Sequence, residues 1–96
     1  MALLTSDEIT AQLRRVADWR QTDQAIRRQF AFSSFLEAIR FVNTVAALAE
    51  AADHHPDIDI RFKRVTMTLS THSAGGLTVK DFALAEQIDR AAAAGH

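Results

Sequence analysis

Histidines and carboxylates, the side chains that most often move protons in proteins, concentrate in one part of this 96-residue sequence. The set consists of Glu50, Asp53, His54, His55, His72 and Asp81. Histidine has an unperturbed pKa near neutrality, so an imidazole can give or take a proton under ordinary conditions. A neighbouring carboxylate can hold such an imidazole in one orientation. These residue types together indicate general acid–base catalysis on a polar small molecule.

The elements that carry these residues are predicted to end or begin close to them. Pro56 has no backbone N–H and disfavours a helix at the residue before it, so the helix that contains Glu50 must end near His54. His72 follows the end of a predicted strand, and Asp81 lies at the start of the last predicted helix. Because the ends of elements can meet at one edge of a sheet, these groups are candidates for a single site.

Two other interpretations of the cluster stay open. Histidines with Asp or Glu can bind zinc or iron, which makes a metal site the first of them. Adjacent His54 and His55 would point to opposite sides of an extended chain, however, and the spacing matches no helical i, i+4 ligand pair, so we expect no metal. The second interpretation is structural, with one histidine capping a helix and another hydrogen-bonded at a strand end. His96 is predicted to belong to none of these.

Length and composition predict one small domain that spans residues 1–96. The content of 48% hydrophobic and 24% charged residues is typical of a globular rather than a disordered chain. The absence of cysteine excludes disulfides, thiolate catalysis and cysteine-ligated zinc. No apolar run approaches the roughly 20 residues that span a bilayer, so we expect a cytoplasmic protein without a membrane partner. A net charge of −1 argues against direct binding of nucleic acid.

Hydrophobic periodicity predicts the order helix, two strands, helix, two strands, helix. Capping-box spacings at Thr5–Glu8 and Ser34–Glu37 precede helices over about residues 6–17 and 35–52. Alternating residues predict a first pair of strands near 19–21 and 25–32 and a second pair near 58–62 and 65–69, with a hairpin at residues 63–64. The last helix begins after Thr78. This order indicates an α+β sandwich, α-β-β-α-β-β-α, with helices packed on an antiparallel sheet.

The long predicted helix over residues 35–52 carries two apolar stripes. The stripe expected to pack against the sheet contains Phe35, Leu36, Ile39, Val42, Ala46 and Ala49. The stripe expected on the flank of the helix contains Phe41, Val45 and Leu48. Because one sheet covers only one side of a helix, the second stripe predicts a subunit interface in a homodimer or homotetramer. The alternative is a helix embedded deeply in its own core.

The spacing of the polar residues resembles the signature of the pterin-4a-carbinolamine dehydratase family. The matching residues are Glu50-x3-His54-His55-Pro56, Phe62, His72 and Asp81. The similarity extends to Trp19, Phe30-x-Phe32, Asp53 and residues 68–72 and 76–78, and so covers nearly the whole chain. It implies the family fold, a four-stranded antiparallel sheet with three helices packed on one face. One departure is Ile58, a position at which many members carry tryptophan.

The resemblance implies a hydro-lyase, a 4a-hydroxytetrahydrobiopterin dehydratase that removes water from 4a-hydroxytetrahydropterin and gives quinonoid dihydropterin during pterin recycling. The reaction needs neither a metal nor a redox cofactor. By similarity, His54 and His72 form the acid–base pair, and His55 binds and orients the pterin. Glu50 and Asp81 orient imidazoles. The residues expected to bind substrate are Asp53, His54, His55, Pro56, Ser70, Thr71, His72 and Ser73.

A second class of function also follows from the resemblance. Members of the family act as interaction modules that stabilise dimers of partner proteins, including a transcription factor, through the long helix. The complete histidine motif favours the enzyme, because a pure scaffold has no use for all three of these histidines.

Overall fold

The computed structural model of the chain describes residues 2–94, and its elements follow the predicted order. The helices are α1 (Ser6–Leu13, continued by a 3₁₀ turn over Arg14–Val16), α2 (Phe35–Ala52) and α3 (Val79–Ala93), with a further 3₁₀ turn over His72–Ala74. The strands are β1 (Arg20–Thr22), β2 (Ala25–Ala31), β3 (Asp57–Arg61) and β4 (Arg64–Leu69). The prediction of an α+β fold with three helices and a four-stranded antiparallel sheet is therefore confirmed.

The four strands form one antiparallel sheet in the order β1-β2-β4-β3. Both predicted hairpins form, and the second one turns through Phe62 and Lys63, so that Arg61 and Arg64 lie opposite each other. That tight turn explains the change of phase in the sequence between the two strands. In this strand order, β3 lies at an edge of the sheet.

Alternating side chains of β2 and β4 build the face of the sheet that the helices cover. Ile26, Phe30, Val65, Met67 and Leu69 are all buried on that face. The residues that alternate with them along the strands, among them Arg27, Gln29 and Arg64, are exposed. One side of the sheet therefore carries the core, and the other side carries polar residues.

Arg28 interrupts the apolar face of β2, and the structure shows how this charge is accommodated. Its guanidinium lies 2.8 Å from Oδ1 of Asp89 on α3, and the same oxygen accepts a 2.8 Å hydrogen bond from the indole N–H of Trp19. Asp18 lies 3.5 Å from the guanidinium. This network ties α3 to the sheet, so the break in the apolar pattern marks a partly covered ion pair.

The long helix α2 has the predicted bounds but buries the other stripe. Phe41 and Val45 are completely buried, and Leu48 packs against the core. Phe35 is 47% exposed and Leu36 is exposed further. The expectation that the stripe beginning at Phe35 seals the sheet, and that Phe41, Val45 and Leu48 remain for an interface, is therefore wrong.

Aromatic packing explains which stripe of α2 is buried. The ring of Phe41 lies 4.9 Å, centroid to centroid, from the rings of both Phe30 and Phe32. These contacts fix the rotation of the helix on the sheet and leave Ile39 and Val42 only half-buried. Ala49 is buried as predicted, because it adjoins the Phe41 stripe.

Across residues 2–94, no helix combines the length and the apolar character needed to cross a bilayer. His96 lies outside the described residues.

Candidate active site

The buried carboxylate of Asp81 joins three separate segments of the chain. Its Oδ1 lies 2.6 Å from Nε2 of His54, which follows α2. Its Oδ2 accepts a 2.9 Å hydrogen bond from the hydroxyl of Thr71, beyond β4, and another of 2.9 Å from the backbone N–H of Thr78. Asp81 has no exposed surface, so these donors take the place of water around the carboxylate.

Local sequence places Asp81 at the start of α3. Thr78 is the N-cap and Asp81 is the third helical residue, and the two form a capping box. The positive end of the helix dipole stabilises a negative side chain in this first turn. The box uses Oδ2 of Asp81 and leaves Oδ1 for His54.

The end of α2 directs His54 into the protein. Asp53 adopts the left-handed conformation, with φ 50° and ψ 45°. The N–H of Asp53 then bonds to the carbonyl of Glu50, and the N–H of His54 bonds to that of Ala49, which is the pattern of a Schellman motif. After this turn the ring of His54 is buried, whereas His55 is exposed.

The hydrogen-bond network indicates which nitrogen of His54 carries hydrogen. A hydroxyl has one hydrogen, and that of Thr71 goes to Asp81, so the 2.8 Å contact between Thr71 and Thr78 uses the hydrogen of Thr78. Both contacts of Oδ2 of Asp81 therefore come from donors, so the carboxylate acts as an acceptor. We assign the hydrogen to Nε2 of His54 on this ground, which leaves Nδ1 as the nitrogen that can exchange a proton.

His55 and Glu50 form a second imidazole–carboxylate pair at the surface. Nε2 of His55 is hydrogen-bonded to Oε2 of Glu50, five residues earlier. Both side chains are exposed. An exposed pair of this kind contributes little to stability, so it can rearrange when a ligand approaches.

His72 lies on a short loop that is anchored to the Asp81 network through Thr71. The N–H of Thr71 bonds to the carbonyl of Gly76 at 2.9 Å, and Thr71 is buried. Gly75 has φ 79°, a conformation that suits glycine, and its N–H closes the turn on the carbonyl of His72 at 3.1 Å. His72 itself is exposed at the beginning of this turn.

The other predicted site residues occupy less central positions. The hydroxyl of Ser70 donates a 2.8 Å hydrogen bond to the carbonyl of Gln24 in the β1–β2 turn. Ser73 is exposed on the loop of His72, and Pro56 is half-buried. Asp53 is exposed and serves as the left-handed residue at the end of α2.

Thr78 is a further member of the site that was not predicted from the sequence. Its hydroxyl contacts Thr71 and its N–H contacts Asp81, so it belongs to the buried network. The spacing of Thr78 and Asp81 is the signal that could have revealed it, since a capping box requires contact between these two residues.

The arrangement suits proton transfer. It offers a buried imidazole held by a carboxylate, and exposed imidazoles on the adjoining segments. Within residues 2–94, no three His, Asp or Glu side chains form a group that could hold a metal ion.

Comparison with known proteins gives consistent matches. The family Pterin 4 alpha carbinolamine dehydratase matches residues 2–91. A Picosynechococcus protein named "Putative pterin-4-alpha-carbinolamine dehydratase" is 54% identical over 87 residues, which cover 91% of this chain and 95% of the relative. A protein of the same name from Roseiflexus castenholzii is 57% identical over 88 residues, covering 92% and 95%.

Two solved structures share the fold. The crystal structure of a transcriptional coactivator/pterin dehydratase from Brucella melitensis has a TM-score of 0.90 and 37% identity, and the match covers 94% of this chain and 98% of that one. A pterin dehydratase-like protein described as a RuBisCO assembly factor in the alpha-carboxysome has a TM-score of 0.67 and 29% identity, covering 78% and 89%. The chain therefore belongs to the pterin-4a-carbinolamine dehydratase family.

Proposed function

We propose that the protein removes water from 4a-hydroxytetrahydropterin and releases quinonoid dihydropterin. The observation that carries the proposal is the 2.6 Å contact between buried His54 and Asp81, in a chain of this family. A histidine that a buried carboxylate orients is a typical general acid or base.

The chemistry requires two proton transfers and no external electrons. The C4a hydroxyl leaves as water when it receives a proton, while the lone pair of a ring nitrogen forms the new double bond. A proton on a ring nitrogen is then lost. An acid and a base at two sides of the bicyclic ring complete this sequence.

In this proposal the two histidines divide the proton transfers. His54 exchanges a proton through Nδ1, because Nε2 is held by Asp81. His72 supplies the second group from its exposed loop. Thr71 acts through Asp81 as a positioning residue, since it is buried in the network.

The remaining predicted residues bind the pterin. His55 orients the ring system, with Glu50 holding its imidazole. The polar side chains and the proline at the rim of the site are Asp53, Pro56, Ser70 and Ser73. Their amide, hydroxyl and carboxylate groups can pair with the donors and acceptors on the pterin edge.

A stopped-flow assay tests the proposal directly. The loss of 4a-hydroxytetrahydropterin is followed by absorbance with and without the protein. We expect the rate constant to increase in proportion to protein concentration, and the His54→Ala/His72→Ala double variant to lose the increase. A wild-type protein that gives only the uncatalysed rate contradicts the proposal.

The second candidate function is an interaction module that stabilises dimers of a partner protein. Two observations favour it: the Brucella relative is called a coactivator as well as a dehydratase, and the other structural neighbour is called an assembly factor. Exposed apolar side chains of α2, Phe35 and Leu36, offer a contact surface. A chain that shows no turnover but binds a partner protein through α2 would place this function first.

A further inference from the structure

Thr78 is a helix-capping residue whose side chain is completely buried. It precedes α3, and its hydroxyl oxygen accepts a 3.3 Å hydrogen bond from the backbone N–H of Lys80, the ordinary contact of an N-cap. The capping threonine of α1, Thr5, makes a similar contact on an exposed surface, whereas Thr78 has no exposed surface. Because buried polar groups are hydrogen-bonded, the hydroxyl of Thr78 is expected to bind a second group as well.

That second group is Thr71, in a chain of hydrogen bonds that runs in one direction. Thr71 uses its single hydrogen on Oδ2 of Asp81 at 2.9 Å, so the 2.8 Å contact between the two hydroxyls uses the hydrogen of Thr78. The oxygen of Thr78 accepts from Lys80 at the other end. The chain finishes on the carboxylate whose second oxygen contacts His54.

The backbone of Thr71 organises the loop that carries His72. Its N–H bonds to the carbonyl of Gly76 at 2.9 Å. Its carbonyl accepts hydrogen bonds of 3.0 Å from the N–H groups of both Ala74 and Gly75. His72 is the next residue along the chain, so its position follows that of Thr71.

We propose that Thr78 is a positioning residue that sets the separation between His54 and His72. The inference rests on the dehydratase function proposed above. Asp81 holds His54, and Thr78, three residues earlier at the same helix end, holds Thr71 beside His72. A displacement of about 1 Å between groups that act on one substrate can slow a reaction by about 10²-fold, so a fixed separation of the two imidazoles matters for proton transfer.

The hydroxyl of Thr78 is the part of the side chain on which this role depends. Without it, Thr71 keeps its hydrogen bond to Asp81 and loses the donor to its own oxygen. A buried acceptor that has lost its donor is unfavourable, so the side chain of Thr71 is expected to turn toward another partner. His72 then shifts with the loop, while the contact between Asp81 and His54 remains.

The two ends of the His72 loop have anchors of their own. The hydroxyl of Ser70 donates a 2.8 Å hydrogen bond to the carbonyl of Gln24, and the N–H of Leu4 donates one of 2.9 Å to the carbonyl of Leu77. These bonds do not involve Thr78. Removing its hydroxyl should therefore disturb the alignment of the loop without unfolding it.

Thr78→Val tests the role of the hydroxyl, because valine has a similar shape and no hydrogen-bonding group. We expect kcat to fall about tenfold and KM to change less than about twofold, since proton transfer is misaligned and the binding surface is kept. Thr78→Ser restores the hydroxyl and should recover most of kcat. If Thr78→Val does not fold, Thr78→Ala replaces it, because alanine and serine at this position differ by the hydroxyl alone.

Thr5→Val is the matched control, since Thr5 also forms a capping box, with Glu8 at the start of α1. This variant should lower Tm and leave kcat unchanged. Equal losses of kcat in Thr5→Val and Thr78→Val would mean that helix capping alone explains the effect, and the inference would fall.

Thr71→Val shows whether Thr78 acts through Thr71. In that case the hydroxyl of Thr78 has no partner left to position, so adding Thr78→Val to Thr71→Val should lower kcat by less than about a further twofold. A further loss as large as that of Thr78→Val by itself contradicts the proposed route.

Amide hydrogen exchange separates this inference from the proposed function. The N–H of Thr71 reports on the His72 loop whether or not the protein turns over a pterin. We expect it to exchange about tenfold faster in Thr78→Val than in Thr5→Val, because the loop opens locally. If the wild-type protein lacks dehydratase activity, the proposed function fails, and this exchange rate decides whether Thr78 holds the loop. Equal exchange of the Thr71 N–H in the two variants overturns the inference.

Discussion

Oδ1 of Asp81 lies 2.6 Å from Nε2 of His54, and this contact links the start of α3 to the end of α2. The other oxygen of the same carboxylate caps α3 and holds Thr71 beside His72. A residue in the first turn of a helix thus also orients an imidazole. The cap of α3 and the orientation of the proposed acid or base therefore depend on the same side chain.

Replacing Asp81 should lower both stability and activity. Asp81→Asn keeps the shape but removes the charge from three buried hydrogen bonds, so we expect the free energy of unfolding to fall by about 2–3 kcal/mol. The amide also ceases to fix the orientation of His54, and we expect dehydration to slow by about 10²-fold. Urea unfolding and stopped-flow rates measure the two effects separately.

Asp89→Asn is the matched control, because Asp89 lies on the same helix and also holds two partners, Trp19 and Arg28. This variant should lose stability. Its dehydration rate should stay unchanged at temperatures and urea concentrations at which it remains folded. Equal losses of rate in the two variants would show that Asp81 acts only through the fold.

The histidines themselves should be needed for turnover. His54→Ala and His72→Ala are each expected to slow dehydration by about 10²-fold or more, the usual contribution of a positioned acid or base. The double variant should lose less than the product of the two single effects, since both groups act on one transition state. Wild-type rates in both single variants would refute the assignment.

Local signals in the sequence predicted the elements well. The capping residue Ser34 and the helix-breaking Pro56 bound α2 from either side, and the structure has this helix over Phe35–Ala52. The rotation of α2 was not predicted, because it carries two apolar stripes that each suit a sheet. The contacts that decide between the two stripes are tertiary ones. Phe41 packs against Phe30 on β2 and against Phe32, which follows β2.

The chemistry of the site was predictable from residue types and spacing only up to a point. His54 and Asp81 stood out because three of the four histidines lie within residues 54–72 and because both residues match the family signature. Thr78 did not, since its hydroxyl has an ordinary role as an N-cap and its second contact, with Thr71, depends on the tertiary fold. The pairing of His54 with Asp81 and of His55 with Glu50 likewise became clear only from the three-dimensional structure.

Asp53→Asn should raise stability and weaken substrate binding. The left-handed position that ends α2 suits asparagine, and a negative charge there opposes the helix dipole. Removing the charge should stabilise the fold by about 0.5 kcal/mol, which raises Tm by roughly 2–4 °C in a chain of this size. If the carboxylate binds the pterin, KM should rise while kcat changes little. A variant with unchanged KM would remove Asp53 from the binding site.

Metal removal should leave activity intact. The proposed reaction uses imidazoles as acid and base, so exhaustive chelation followed by buffer exchange should preserve the stopped-flow rate. Elemental analysis of the purified protein should show no stoichiometric zinc or iron. If one equivalent of metal is found and is lost together with activity, the histidines are better interpreted as metal ligands.

Because Phe41, Val45 and Leu48 pack in the core, a substitution in this stripe of α2 cannot report on assembly. Leu48 packs against the core, so Leu48→Asp should destabilise the fold and is not a test of assembly. Phe35 is the better probe, because its side chain is 47% exposed. An acidic residue is also well tolerated in the first turn of a helix.

We therefore propose that α2 takes part in a homodimer or homotetramer through the exposed flank that carries Phe35 and Leu36, and we expect Phe35→Asp to shift the assembly to a smaller species. The physical reason is that a charge would enter a surface that the second copy covers, whereas the fold of each chain loses few contacts. Light scattering coupled to size exclusion measures the mass, and circular dichroism checks that the chain stays folded. Val79→Asp is the control, since Val79 is equally exposed in the first turn of α3. A wild-type monomer at micromolar concentration, or a Phe35→Asp protein of unchanged mass, would show that this flank is not an interface.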